Sequence, residues 1–138
     1  MLKIEYVEQL DKVLGEMIGV EFDKHSTTNG IDCNYLPFIF VAKDNNEAVG
    51  IITGQAVYGE VRIDNFIVSE QHRDKHIGSK LIETVERYYR DKGCAYMEVT
   101  THDFQAPKFY QKHGFKVDFI RENKENPKLN KYFLIKYF

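Results

Sequence analysis

The sequence predicts an α/β fold: a mixed, mostly antiparallel sheet of six to seven strands with about four flanking helices. Three observations carry this. β-rich runs at 38–43, 48–57 and 61–68 are separated by short polar turns, the pattern of an antiparallel meander. An amphipathic stretch from Ile77 to Lys92 then precedes the next β-rich run, 95–100, and a strand reached through a helix returns parallel to the one it left. Two further β-rich runs, 115–122 and 131–138, close the chain as a hairpin around the polar tip "NKENPKLN".

Taken in order, "LKIEYV" (2–7) reads as a short first strand. Leu10, Val13, Leu14, Met17 and Ile18 then fall on one face of a helix. Gly15 and Gly19 lie inside it, each costing up to ~1 kcal/mol relative to alanine, so a bent or broken helix is expected. Residues 25–37 read as a polar loop that Pro37 helps to end. In the helix from Ile77, the apolar side carries Leu81, Ile82 and Val85 with Tyr88 or Tyr89. Glu83–Arg87 and Glu86–Arg90 are i,i+4 pairs on its wet side, and Gly93 closes it. A short helix around Ala106–Lys112 ends at Gly114.

A chain of 138 residues predicts one domain, and a net charge of −2 makes no electrostatic case for nucleic acid. No apolar run approaches the ~20 residues that cross a bilayer, and the N-terminus lacks the apolar region of a signal peptide, so no membrane association is expected. Cys33 and Cys94 are far apart and form no metal-ligand spacing; they read as free thiols of a cytoplasmic protein. His25, His72, His102 and His113 read as surface residues, and no metal site is expected.

The turn "RDKHIGS" (73–79) carries the first functional signal. At the start of a helix several N–H groups lack intrahelical partners and point outward with the positive end of the dipole, which favours an anion. Arg73 and Lys75 add positive charge, Ser79 adds a hydroxyl donor, and Gly78 leaves room for an anion to approach the backbone. The turn is neither a Walker-type loop nor the three-glycine dinucleotide fingerprint. A solvated basic face around a tight turn is the alternative reading of the same residues.

"FQAPKFYQKHGF" (104–115) supplies the second signal. With both stretches in view, the chain resembles the GNAT superfamily of acetyl-CoA-dependent N-acetyltransferases. That family carries Gln/Arg-x-x-Gly-x-Gly/Ala after one central strand, then Ala-x-x-x-Tyr and Gly-Phe after the next. Here Arg73, Asp74, Lys75, His76, Ile77 and Gly78 take the first motif, while Ala106, Tyr110, Gly114 and Phe115 take the second. The resemblance implies a GNAT-like sheet with a splayed central parallel pair, acetyl-CoA as acyl donor, and a primary amine of a small molecule or peptide as acceptor. Many relatives dimerise; the sequence neither supports nor excludes a homodimer.

The resemblance also implies roles. The 73–79 turn would hold the donor's pyrophosphate. Backbone groups of Phe66, Ile67 and Val68 would bind the pantetheine amides and polarise the thioester oxygen. Tyr110 would give the leaving thiolate its proton, or else serve only as an aromatic core residue. Where some relatives have a glutamate base, this chain has Arg62, which leaves Glu60 and Asp64 as the strand carboxylates, with water as an alternative. Two departures stand out. His76 replaces the first signature glycine, and ordinary dihedrals with the imidazole toward solvent are expected for it. Asp103 occupies the place where many relatives use an asparagine against the pantetheine arm. A non-catalytic acyl-CoA sensor and a nucleotide-binding module are the competing readings.

Overall fold

The computed structural model describes residues 1–138. They divide into two compact units, 1–33 and 34–138. In the first, residues 1–10 carry no regular element and α1 spans Lys12–Thr28. The strand expected at 2–7 is therefore absent: alternating apolar residues become a strand only with a paired neighbour. Nor is α1 broken. It runs through Gly15 and Gly19 and takes in His25–Thr28, which the sequence reading assigned to a loop. Asp11 caps its start by accepting from the Leu14 amide at 2.8 Å, and Asn29 ends it. Glycine propensity is a weak prior that an otherwise continuous backbone ladder overrides.

The second unit contains β1 (Leu36–Asp44), β2 (Glu47–Val57), β3 (Glu60–Val68), α2 (Ile77–Arg90), β4 (Tyr96–His102), α3 (Pro107–Lys112), β5 (Lys116–Arg121) and β6 (Lys131–Tyr137). The six strands lie in the order β1-β2-β3-β4-β6-β5. The meander, the crossover and the closing hairpin stand where the sequence placed them, with three α-helices rather than four. Turn chemistry sets the meander. Asn45-Asn46 and Tyr58-Gly59 have positive φ at both residues (50° and 66°, 57° and 76°), the geometry whose twist suits a two-residue hairpin. No helix is long and apolar enough to cross a membrane.

Helix α2 lies across β1, β2 and β3, and α3 lies against β5. Leu81, Ile82, Val85 and Tyr89 of α2 are buried with Ile52, Ala56, Val61, Met97, Val99 and Leu134 of the sheet. Tyr89, rather than Tyr88, is the fully buried tyrosine, and its hydroxyl donates to the Leu36 carbonyl at 2.7 Å. Of the two expected helix ion pairs, the one that closes is Glu86–Arg90, at 2.6 Å, and Glu86 also accepts from Lys136 of β6.

All ladders are antiparallel except β3–β4, which is parallel and short. It registers only Glu60 with Tyr96, Val61 with Met97 and Arg62 with Glu98. Just beyond, β3 carries a bulge: Thr53 faces Asn65 but Gly54 faces Ile63, so Asp64 is the extra residue. Bulges bend a strand and increase its twist. The strand most altered by the bulge is thus the one that leaves β4.

Gly54 permits this bend. A Cβ there would collide with the Arg62 carbonyl and stand 2.7 Å from the Phe38 ring. Gly54→Ala should therefore lower the unfolding free energy by about 2 kcal/mol or more in a urea titration. A loss below a few tenths would show that β3 does not need this close approach.

Candidate active site

The site grows from the ends of β3 and β4. Past Arg62 and Glu98 the two strands share no ladder register, so residues 63–68 have a strand neighbour on one side only, β2. Phe66, Ile67 and Val68 pair there with Ile52, Ile51 and Gly50. Backbone groups on the other edge of β3 open into the gap, where an extended amide-bearing ligand could complete the ladder.

Phe66 stands at this gap against α3: its ring centroid is 5.6 Å from Phe109 and 6.2 Å from Tyr110. Tyr110 also meets Phe115 at 5.4 Å and is buried. Burial pushes its phenol up to about 12, so it stays protonated well above neutral pH. Helix α3 begins at Ala106, whose amide donates to the Thr101 hydroxyl at 3.3 Å, with Pro107 in the first turn.

The turn after β3 leads through a short 3₁₀ segment, 70–72, into α2. Arg73 is not free: its Nε donates to the Val68 carbonyl at 3.2 Å, which ties the turn to the end of β3. Helix α2 has no side-chain cap and no acidic residue in its first turn. Its entering backbone bond is Lys80 N–H to the His76 carbonyl at 3.0 Å, so the amides of Ile77, Gly78 and Ser79 have no intrahelical acceptor. Lys75 stands in the same turn. Gly78 borders α3: a Cβ there would lie in ordinary contact, 3.4 Å from the Phe109 ring.

His76 differs from expectation. It is left-handed, with φ 61° and ψ 18°, and Asp74 is left-handed as well at φ 64°. Both lie in the four-residue connection between the 3₁₀ segment and α2. Histidine and aspartate are among the side chains that visit this region more often than most. Left-handed residues flanking ordinary ones turn consecutive amides to one side, forming an anion-binding concavity. The imidazole is on the exposed side, as expected.

The carboxylates sort by their partners. Asp64 accepts from Arg62 Nε at 3.1 Å, and Glu60 accepts from the Tyr96 hydroxyl, which burial and this glutamate together push up to about 12. Asp103 accepts from the Tyr132 hydroxyl at 3.1 Å and so turns toward β6. Glu98 is the residue the sequence reading missed. It is half-buried at the last β3–β4 rung, and its carboxyl is raised first by burial, then by Glu60, with Asp118 adding and Arg62 opposing. The available signal was that it is the one acid in the 95–100 run, in phase with Tyr96 and Thr100. His113 was also misread: it is half-buried and bonds Ser79.

The gap, the uncapped helix mouth and the buried tyrosine thus stand together, while Asp103 turns away from them. A family model described as the Acetyltransferase (GNAT) family matches residues 8–115. The chain belongs to the GNAT acetyltransferase family. Blasticidin-S acetyltransferase of Streptomyces morookaense is 32% identical over 79 residues, which cover 56% of this chain and 58% of that protein. The match thus spans little more than half the length of that curated relative. An acetyltransferase from Bacillus cereus superposes with a TM-score of 0.78 at 24% identity, covering 97% of this chain and 98% of that one. A GNAT family acetyltransferase from Elizabethkingia anophelis, solved with acetyl-CoA bound, gives 0.64 at 20% identity over 86% of this chain and 82% of that one. The two structures share the fold.

Left-handed histidine is strained relative to glycine by about 1 kcal/mol. His76→Gly should raise the urea midpoint by a corresponding amount. A lower midpoint would mean that the imidazole makes a stabilising contact that outweighs the strain.

Proposed function

We propose that this protein transfers an acetyl group from acetyl-CoA to a primary amine of a small molecule or peptide, by direct attack with both substrates bound. The observation that carries this reading is the parting of β3 from β4 after Arg62 and Glu98, beside an uncapped helix mouth, in a chain of the GNAT family. The residues present suit the donor. Amides of 74–79, with Lys75 and Ser79, suit its pyrophosphate; the open edge of β3 at Phe66–Val68 suits its pantetheine amides. Binding a remote charged part fixes the reacting end without taking part in the chemistry. Two reduced cysteines, Cys33 and Cys94, agree with action in the cytoplasm.

Tyr110 is the general acid in this proposal. A phenol raised to about 12 holds its proton across the working pH range and can pass it to the leaving thiolate. The attacking amine arrives protonated, since alkyl ammonium groups lose their proton near pH 10. Asp64 and Glu60, the acceptors expected from the sequence, are each engaged by a neighbour. Glu98 is better placed to take that proton, directly or through water: it marks the point where the strands part, and its raised carboxyl is a stronger base than an ordinary one.

A non-catalytic acyl-CoA sensor is the second reading, favoured by the left-handed, non-glycine residue at 76. Thermal shifts with acetyl-CoA, CoA, ATP and GTP, followed by turnover on a panel of amines, separate the readings. Stabilisation by both CoA species, with acetyl transfer to at least one amine, is expected; stabilisation without turnover across the panel means a sensor.

Where turnover is found, Tyr110→Phe should lower kcat by about 10²-fold with acetyl-CoA affinity kept within a few-fold. Glu98→Gln should remove the acid-side limb of the kcat/KM profile, which rises as that carboxyl deprotonates. Asp64→Asn and Glu60→Gln should keep the limb. An unchanged profile in Glu98→Gln removes Glu98 from the reaction, and an unchanged kcat in Tyr110→Phe, with chemistry rate-limiting, removes Tyr110.

A further inference from the structure

Two contacts join the donor-binding turn to the helix that carries Tyr110. One is the Gly78–Phe109 approach. The other is polar: Ser79 Oγ and His113 Nε2 lie 3.1 Å apart in a part-buried position. His113 ends α3, where its amide donates to the Tyr110 carbonyl at 3.0 Å, and its ring lies tilted by 47° against Phe109, with centroids 4.6 Å apart. The imidazole is therefore held from both sides, with one nitrogen aimed at a hydroxyl in the first turn of α2.

The hydroxyl of Ser79 has one proton to give. In the neutral imidazole that carries its proton on Nδ1, Nε2 is an acceptor and the hydroxyl proton goes to the histidine. When the imidazole is protonated, Nε2 carries hydrogen and must donate, so Ser79 Oγ accepts and its O–H is free to turn toward an anion. The same proton brings a positive charge to the mouth of α2. Both changes favour a bound diphosphate.

We propose that His113 is a positioning residue for donor binding: through Ser79 it couples the protonation of one imidazole to the grip of the 74–79 turn on the donor's diphosphate. This rests on the acetyl-CoA reading of the site. The charged groups about the contact are Lys80 on α2, Lys112 on α3 and Lys136 of β6, whose Cε would meet a Cβ at Gly114 at 3.1 Å and whose ammonium is engaged by Glu86 at 2.9 Å. The acids of α2 that follow Ser79 are Glu83, one turn on, and Glu86, which is taken up by Arg90 and Lys136; the side-chain hydrogen bond of the imidazole goes to Ser79. The coupling predicts a donor affinity that is higher when His113 carries its second proton than when it does not.

Isothermal titration with dephospho-CoA tests this at pH 6 and pH 8. That probe keeps the diphosphate and lacks the terminal phosphate monoester, a group that itself titrates near pH 6. The wild type should bind about fivefold more tightly at pH 6, as one charge-assisted hydrogen bond is gained. His113→Gln and Ser79→Ala should each lose most of that gain, and the double variant should lose no more than either single one. A wild type without the gain overturns the proposal, as does a gain that survives in both variants. A gain lost in His113→Gln but kept in Ser79→Ala overturns it too, because the imidazole would then act by charge alone. A wild type that binds acetyl-CoA but dephospho-CoA at neither pH overturns this inference alone, because the diphosphate is then not what the turn grips; one that binds neither overturns the acetyl-CoA reading as well.

Discussion

Three rungs of parallel ladder hold β3 to β4, and what the site offers depends on their ending at Arg62 and Glu98. A longer ladder would close the edge of β3 and leave no backbone groups for a ligand. Two features of the chain enforce the parting. The bulge at Asp64 twists β3 away, made possible by the bare backbone of Gly54. On the core face, Phe66 turns against Phe109 and Tyr110, which ties this part of β3 to α3. Local backbone and side-chain packing thus agree on where the sheet opens.

The same aromatic group links Tyr110 to the turn at 73–79. Phe109 touches Gly78 at the mouth of α2, Phe66 on β3 and Tyr110 beside it on α3. One ring therefore contacts three elements that a donor would have to span. A Cβ at Gly78 would meet that ring at 3.4 Å, an ordinary contact, so the Phe109 ring borders the first turn of α2 without requiring a glycine there.

Much of this was readable from the residues. Asn45-Asn46 and Tyr58-Gly59 announce hairpins because both positions need positive φ; the period of Leu81, Ile82, Val85 and Tyr89 announces a helix; and a helix between two strands announces a parallel pair. The two motif stretches, 73–79 and 104–115, fell on the elements that the fold then placed side by side. What was lost depended on pairing across the chain. Residues 2–7 alternate like a strand yet carry no strand, and α1 passes through two glycines whose propensities argued for a break. Glu98 looks like any polar residue of a half-buried strand until Glu60, Arg62 and Asp118 are seen around it. His76 was expected in ordinary dihedrals, the common state of a non-glycine residue, and it is left-handed instead.

The central claim is that the open edge of β3 and the mouth of α2 form one continuous donor site. Titrating unlabelled CoA into the ¹⁵N-labelled protein and following its amide spectrum tests this most directly. The account predicts that the largest shifts fall together on the amides of Phe66–Val68 and Asp74–Ser79, saturating with one common affinity, while those of the β5–β6 hairpin tip at 123–129 stay in place. Shifts confined to one of the two stretches, or centred elsewhere in the chain, would contradict it.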